Sequence, residues 1–159
     1  MTKPAPGEIA PDFELTTDSG EPFRLSAHKG QPVVLFFYPE DDTPGCTIEN
    51  QEFSLLAPEF AKIGAKLVGI SPDSVKKHCD FRDKYQLDVT LAADPDHMAI
   101  NAFGLWGPKV SFGRHIIGLT RATILIGPDG KIVQNFLARP IKGHAAKVLE
   151  ATKALIASA

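Results

Sequence analysis

The feature that most constrains the fold is an uninterrupted apolar and aromatic run, VVLFFY, at residues 33–38. Such a run is typical of a strand that is buried on both faces inside a sheet. Shortly afterwards, Thr43 offers a helix N-cap and Pro44 a first helical residue. The sequence therefore predicts a strand, a polar turn and then a helix. We expect this helix to run to about Leu56, with Pro58 kinking or restarting it.

The remaining segments predict further strands and helices. They are extended pieces at 13–15 and 23–25, a buried strand at Lys66–Ser71, a helix at 74–85, a strand at 89–92, a short helix at 98–103, a hairpin of Ala122–Ile126 with 132–136, and a final helix at 143–159. The last helix is amphipathic, and we expect its core face to hold Ala145, Val148, Leu149, Leu155 and Ile156. This order predicts an α/β fold, a three-layer sandwich with a mixed central sheet flanked by helices.

Length and charge limit the kinds of partner. The 159 residues predict a single domain over 1–159, long enough to bury roughly 68–70% of the unfolded surface. The net charge is −2 and no Lys/Arg cluster is present, so neither nucleic acid nor an anionic membrane is expected as a main partner. The N-terminal segment has no apolar core of signal-peptide length, and we therefore expect a cytoplasmic protein.

The two cysteines are Cys46 and Cys79, too few for a disulfide framework or a thiolate-rich metal site. Cys46 falls in the first turn of the helix that follows Thr43. Unpaired backbone N–H groups and the helix dipole favour an anion there, and hence a thiolate. The neighbouring Gly45 leaves room beside the sulfur for a small substrate. For an isolated cysteine, however, the commoner interpretation is an inert, packed thiol.

The acidic residues Asp41 and Asp42 work against a thiolate, because nearby negative charge disfavours it. An activated Cys46 therefore needs a cation from elsewhere in the fold. Arg121, at the head of the buried run ATILI, is the favoured candidate. The less favoured candidates are His28, His115 and Arg139.

Several motifs, taken together, resemble those of the peroxiredoxins, in particular the branch called peroxiredoxin Q or bacterioferritin comigratory protein. They are PEDDTPGCTIENQEF, APDFEL, LSAHKGQPVVLFFYP, GISPDSVKKH, ADPDH, FGLW, RATILIGPDGKI and KGHAAKVLE, in the family's order over nearly the whole chain. The resemblance implies a thioredoxin-like fold. It also implies a thiol-dependent peroxidase that acts on hydrogen peroxide and organic hydroperoxides, without a cofactor or a metal.

The resemblance also implies roles for individual residues. Cys46 matches the peroxidatic cysteine, and Thr43 matches the hydroxyl residue that hydrogen-bonds the peroxide. Pro39 matches the proline that shields the site, and Arg121 matches the active-site arginine. Glu49 resembles the glutamate of the family's CTxE motif and would orient the arginine. Two alternatives remain: Thr43 is only a helix cap, and Glu49 is an ordinary exposed charge.

The chain departs from the family's commonest pattern at the resolving position. Gln51 stands where many members have a second cysteine, which leaves Cys79 as the candidate resolving thiol, about one turn before the position near Arg82 expected from some relatives. The resemblance then implies an intramolecular disulfide that a thioredoxin-like protein reduces. The alternative is a one-cysteine enzyme resolved by an external thiol. We expect a monomer or a weak dimer.

Other functions have weaker support. Thioredoxin-type disulfide exchange needs a C-x-x-C pair, and residue 49 is Glu instead. Cysteine-based acyl transfer needs a histidine base beside Cys46, and no hydrolase motif supplies one. The adjacent His78 and Cys79 have poor metal-ligand spacing, and Trp106 is expected in the core. A non-enzymatic, stress-associated binding or chaperone module remains as the alternative from a different class.

Overall fold

The computed structural model describes residues 3–158, apart from the side chain of Ser111, and contains nine strands and four α-helices. The strands are β1 Glu14–Thr17, β2 Pro22–Arg24, β3 Val33–Phe37, β4 Lys66–Ser71, β5 Thr90–Ala93, β6 Trp106–Ser111, β7 Arg114–Leu119, β8 Ala122–Ile126 and β9 Ile132–Leu137. The helices are α1 Pro44–Lys62, α2 Val75–Tyr85, α3 Met98–Ala102 and α4 His144–Ala157, with a 3₁₀ turn at Leu25–His28.

The central sheet has seven strands in the order β2-β1-β5-β4-β3-β8-β9. Strands β3, β4 and β5 run parallel, whereas β1, β2, β8 and β9 pair antiparallel with their neighbours. The apolar run 33–38 thus forms a strand near the middle of the sheet, and all five residues of β3 are buried. The prediction of a mixed sheet is confirmed.

Alternating side chains divide the core into two clusters, one on each face of the sheet. Val34, Phe36 and Tyr38 face the layer that contains α1, α2 and α4. Val33, Leu35 and Phe37 face α3 and the N-terminal segments. The predicted three-layer α/β sandwich is therefore confirmed.

One aromatic stack positions α1 on the sheet. The ring of Phe53 in α1 lies on that of Phe36 in β3, with ring centroids 4.2 Å apart and 14° between the planes. A Cβ at Gly69 of β4 would lie 2.6 Å from the ring of Phe36, so only glycine leaves room for this ring. The register of α1, and with it the place of Cys46, depends on this packing.

The expectation that α1 ends near Leu56 is wrong, because the helix continues through Pro58 to Lys62. Pro58 is exposed, so the Ser54 carbonyl that loses its intrahelical partner lies on the solvent side, where water can replace the bond. Phe53 and Phe60 are fully buried on the opposite side. Their burial holds the helix together across the proline.

Two other expectations need correction. In α4, Ala145, Val148 and Leu149 are buried as predicted and Leu155 packs partly against the core, but Ile156 is exposed because the helix extends past the edge of the core. Trp106 was expected in the core and is 41% exposed. Its ring packs on that of His97, with the centroids 4.4 Å apart.

The β6–β7 hairpin was not predicted from the sequence. It forms a separate two-stranded sheet, with Trp106 opposite Leu119 and Ser111 opposite Arg114. Its strands carry the exposed apolar residues Val110 and Ile117 and lack the buried alternation that identifies a core strand. The hairpin leads directly into Arg121 and β8.

The described helices were also compared with the length and hydropathy of a membrane span. Among residues 3–158, none is both long and apolar enough to cross a bilayer. Residue 159, the last of the predicted C-terminal helix, lies outside the described residues.

Candidate active site

Cys46 lies at the third position of α1, after the N-cap Thr43 and Pro44. The first intrahelical hydrogen bond is donated by Thr47 N to Thr43 O, at 2.8 Å. The N–H groups of Gly45 and Cys46 therefore precede the helical hydrogen-bond series, where the positive end of the dipole lies. Cys46 is only 1% exposed. The helix start favours an anion on its sulfur, whereas this burial opposes one.

Arg121 supplies the cation that the sequence requires. Its Nη2 donates to Cys46 Sγ at 3.3 Å, and its Nη1 donates to Glu49 Oε1 at 2.7 Å. The contact follows from the sheet, because Arg121 directly precedes Ala122, which pairs with Phe37 at the end of β3. Burial by itself lowers the pKa of Arg121, but Cys46 and Glu49 raise it above its ordinary value.

Glu49 lies one turn after Cys46 and is 1% exposed, so its interpretation as an ordinary exposed charge is wrong. Its Oε1 accepts from Arg121, while its buried Oε2 has no hydrogen-bond partner among the described residues. Burial raises the pKa of Glu49 to about 7, although Arg121 pulls it down. The pair fixes the guanidinium beside the sulfur at a cost in desolvation.

We predict that this cost makes stability depend on pH. The pKa of Glu49 is about 7 in the fold and 4.5 ordinarily, so charging it is harder in the folded state. The free energy of unfolding of the wild type, minus that of Glu49→Gln, should fall as pH rises from about 4.5 to about 7. Above about pH 7 this difference should stay constant. Urea unfolding of both proteins across this range measures it. A difference that is flat, or that grows in favour of the wild type, contradicts the prediction.

The other cation candidates lie elsewhere. His28 stacks on Phe23 and is hydrogen-bonded to Gln31, and His115 is exposed on β7. Arg139 lines the same cavity as Arg121 but makes no hydrogen bond to Cys46. Among residues 3–158, no histidine is hydrogen-bonded to Cys46, so the geometry offers no base for acyl transfer.

Thr43 and Pro39 lie in the segment that leads from β3 to α1. The Thr43 hydroxyl donates to Glu40 O at 2.9 Å and makes no capping hydrogen bond, so the interpretation of its side chain as only a helix cap is wrong. With its proton used in this way, the hydroxyl oxygen remains able to accept a hydrogen bond. Pro39 and Arg121 line a cavity of about 560 Å³. Cys46 does not line it, and Arg121 connects the cavity to the thiol.

Asp41 has buried partners of its own. It is buried, accepts from the Tyr38 hydroxyl at 2.6 Å, and is bonded to His78 Nδ1 at 2.7 Å. His78 Nε2 lies 3.1 Å from Ala92 O, a group that can only accept, so this nitrogen carries a proton. Burial, and then the charge of Asp41, raise the pKa of Tyr38 well above its usual value.

Asp42 is paired with a cation of α2. Lys84 Nζ and the Tyr85 hydroxyl both donate to its carboxylate at 2.7 Å. These hydrogen bonds, that from Lys84 first, lower the pKa of Asp42. Glu40 is paired with Lys77 of the same helix at 3.0 Å. All three acidic residues before the thiol are thus held by α2.

Sequence reasoning missed these partners, because 37 residues separate Asp41 from His78 and no local pattern connects them. Asp41, Asp73 and His78 lie close enough together to resemble a metal site. Their ligand atoms are already engaged, however, since Asp73 accepts from Ser71 at 2.6 Å and from Asp41 N at 2.7 Å. The cluster is a hydrogen-bond network that ties the loop to α2.

Cys79 is not brought near Cys46. Its Sγ lies 3.1 Å from Asp18 O, and Asp18 N is bonded to Leu91 O of β5. Cys46 contacts Arg121 at the head of β8, which is three strands beyond β5 and four beyond β1. The contacts of the two thiols are thus separated by several strand spacings of about 4.8 Å each. Both cysteines are free in this conformation.

A buried thiol at a helix N-terminus, paired with an arginine on an α/β sandwich, defines a thiol-dependent peroxidase with a thioredoxin-like fold. The sequence profile of the AhpC/TSA family matches residues 6–135, and the chain belongs to that family. Within it, the chain is a peroxiredoxin of the Bcp or PrxQ branch, as its sequence resemblance implied.

Known relatives support this assignment. The peroxiredoxin Bcp of Bacillus subtilis is 40% identical over 147 residues, which are 92% of this chain and 94% of the relative. A structure of the Xanthomonas campestris bacterioferritin comigratory protein, 40% identical, has a TM-score of 0.84 and covers 91% of this chain and 92% of that chain. A structure of a Xylella fastidiosa PrxQ variant, 35% identical, has a TM-score of 0.88 and covers 97% of this chain and 98% of that chain.

Gly45 also makes room for neighbouring side chains. A Cβ at this position would lie 2.9 Å from Ile141 Cδ1 and 3.3 Å from Arg121 Nη2, so the glycine lets both side chains approach the start of α1. We predict that Gly45→Ala displaces Arg121 and lowers kcat/KM for hydrogen peroxide about 10–100-fold. Gly107→Ala is the matched control, because its Cβ would meet nothing within 4 Å. Equal rates for both variants would refute this role.

Proposed function

We propose that the Cys46 thiolate attacks one oxygen of hydrogen peroxide or an organic hydroperoxide. An S–O bond forms as the O–O bond breaks, Cys46 becomes a sulfenic acid, and the departing oxygen takes up a proton to leave as water or an alcohol. The observation that carries the proposal is the 3.3 Å contact between Arg121 Nη2 and Cys46 Sγ at a helix N-terminus.

In this proposal the surrounding groups act on the charge that develops in the transition state. Negative charge grows on the departing oxygen, and the planar Arg121 guanidinium can donate to the sulfur and to the peroxide together. Thr43 accepts a hydrogen bond from the peroxide, since its proton is already donated to Glu40 O. Pro39 shields the thiol from water at the cavity wall.

A relative supports the substrate class. The structures of the Xanthomonas campestris protein are described as giving insight into its alkyl peroxide reduction activity, from trapped intermediate and ligand complexes. The cavity of about 560 Å³ beside Arg121 has room for an organic hydroperoxide. We therefore propose that the present chain reduces organic hydroperoxides as well as hydrogen peroxide, as a monomer or weak dimer.

The test is peroxide consumption by the purified protein, measured with and without a thioredoxin-like reductant. We expect catalytic turnover of hydrogen peroxide and cumene hydroperoxide when the reductant is present, and a single stoichiometric turnover without it. Consumption that never exceeds the uncatalysed rate would refute the proposal. That outcome would favour the binding or chaperone module considered above.

Cys79 is the proposed resolving thiol. A disulfide needs Cα atoms within about 7 Å, far less than the separation in this conformation. Residues 42–51, or the helix around Cys79, must therefore unwind locally after oxidation. The ion pairs and hydrogen bonds that join residues 40–42 to α2 would then break. Most of them are partly exposed, so breaking them costs little free energy.

We predict that one equivalent of peroxide produces an intramolecular Cys46–Cys79 disulfide, reducible by a thioredoxin-like protein. Non-reducing peptide mapping at monomer mass detects it, and Cys79→Ser is the control that should stop at a Cys46 sulfenic acid. A free Cys79 beside sulfenic or sulfinic Cys46, or normal turnover of Cys79→Ser with thioredoxin, would instead indicate a one-cysteine enzyme resolved by an external thiol.

A further inference from the structure

Three cationic side chains line the cavity of about 560 Å³: Lys109, Arg121 and Arg139. Arg121 is paired with Glu49. Among the residues that the structure describes, neither Lys109 nor Arg139 pairs with a carboxylate, and no carboxylate lines the cavity. Lys109 Nζ donates only to Leu119 O within this part of the chain. Such an excess of positive charge facing one cavity is typical of an anion site.

These cations are close enough to repel one another. Burial lowers the pKa of Lys109, and the charges of Arg121 and Arg139 lower it further, whereas the thiolate of Cys46 opposes them. A bound carboxylate would therefore relieve this repulsion as well as gain charge-assisted hydrogen bonds. A neutral ligand would do neither.

Apart from Thr120, the rest of the lining is apolar. Val110 and Leu137 lie on the hairpin and on β9, and Pro39, Pro140 and Ile141 complete the wall. Val110 and Leu137 are more than half exposed, so a ligand that covers them removes apolar surface from water. The cavity thus combines cations and apolar surface, and its Arg121 contacts the reactive sulfur. This combination suits an amphiphilic anion.

We propose that Lys109 and Arg139 form a subsite for the carboxylate of an anionic organic hydroperoxide, whose peroxide group reaches Cys46 while its hydrocarbon part packs on the apolar wall. The inference rests on the peroxidase chemistry proposed above. A cavity of about 560 Å³ is about 10 Å across if it is roughly spherical, which limits the carboxylate to a few bonds from the peroxide. Lys109 and Arg139 are specificity residues in this arrangement and take no part in breaking the O–O bond.

The test compares the para-carboxylate of cumene hydroperoxide with its methyl ester, which has the same peroxide and ring but no charge. We expect the wild type to prefer the acid about tenfold in kcat/KM, mainly through KM, and to lose this preference at high salt. Lys109→Met and Arg139→Gln should each reduce the acid-to-ester ratio several-fold, and the double variant should bring it near one. Lys109→Arg should retain the preference.

Lys131→Met is the charge-matched control, because Lys131 is exposed after the β8–β9 turn and does not line the cavity. It should keep the wild-type ratio. A wild-type ratio near one, or a ratio unaffected by both cavity substitutions, overturns the subsite.

Binding of an unreactive analogue separates failure of the subsite from failure of the peroxidase. By calorimetry, 4-isopropylbenzoate should bind the reduced protein at least tenfold more tightly than 4-isopropylbenzamide, and the double variant Lys109→Met, Arg139→Gln should remove the difference. Equal binding of the two analogues overturns the subsite, whatever the peroxidase activity. Preferential benzoate binding without peroxide turnover would retain the anion site and refute the proposed reaction.

Discussion

Replacing Cys46 with serine is expected to reduce peroxide turnover to the uncatalysed rate, a loss of at least about 10⁴-fold. A serine hydroxyl beside Arg121 is not ionised near neutral pH, and its oxygen is a far weaker nucleophile toward peroxide than a thiolate. Sulfur and oxygen differ little in size, so the variant should keep its fold. Stopped-flow measurement of hydrogen peroxide consumption, with circular dichroism to check folding, gives the result.

The matched control for this variant is Cys79→Ser, measured in the first turnover only. Its reaction with one equivalent of peroxide should proceed at the wild-type rate, because the Cys79 thiol is hydrogen-bonded to Asp18 O, away from Cys46 and Arg121. If Cys46→Ser retained substantial turnover, or if Cys79→Ser lost the first oxidation, Cys46 would not be the nucleophile.

The second large effect is expected from Arg121→Lys, which should lower kcat/KM for hydrogen peroxide about 10–1000-fold. Lysine keeps the charge but loses the planar fork that now reaches Cys46 at 3.3 Å and Glu49 at 2.7 Å. A single ammonium cannot donate in the same geometry to the sulfur, the glutamate and the peroxide. The rate constant for oxidation of the thiol by hydrogen peroxide measures the effect.

Arg114→Lys is the control for this substitution, because Arg114 is exposed on β7. It should react at the wild-type rate. An Arg121→Lys rate within about twofold of the wild type would mean that charge alone suffices, and the proposed hydrogen bonding in the transition state would be wrong.

The sheet and the thiol's position could be predicted from local sequence. Residues 33–38 are apolar without interruption, which identifies an inner strand, and Thr43 with Pro44 starts the following helix. Arg121 precedes the largely apolar segment ATILI, so its place at the end of a buried strand was also predictable. Its contact with Cys46 was expected from the family resemblance, and the antiparallel pairing of β3 with β8 provides it.

Features that depend on distant packing could not be predicted. Pro58 is a helix breaker by local rules, but the burial of Phe53 and Phe60 outweighs it. The pairs of Asp41 with His78 and of Asp42 with Lys84 join segments about forty residues apart, so these partners could be identified only from the folded structure. Local sequence likewise gave no sign of the β6–β7 hairpin, because its strands are exposed.

The most direct measurement is mass analysis of the site of oxidation. Reduced Cys79→Ser protein is treated with one equivalent of hydrogen peroxide in the presence of dimedone, which traps sulfenic acids, and is then digested. The account predicts one dimedone adduct, on the peptide that contains Cys46. In Arg121→Lys samples quenched at the same early time, this adduct should be lost. An unmodified Cys46 peptide after the peroxide has been consumed would contradict the account.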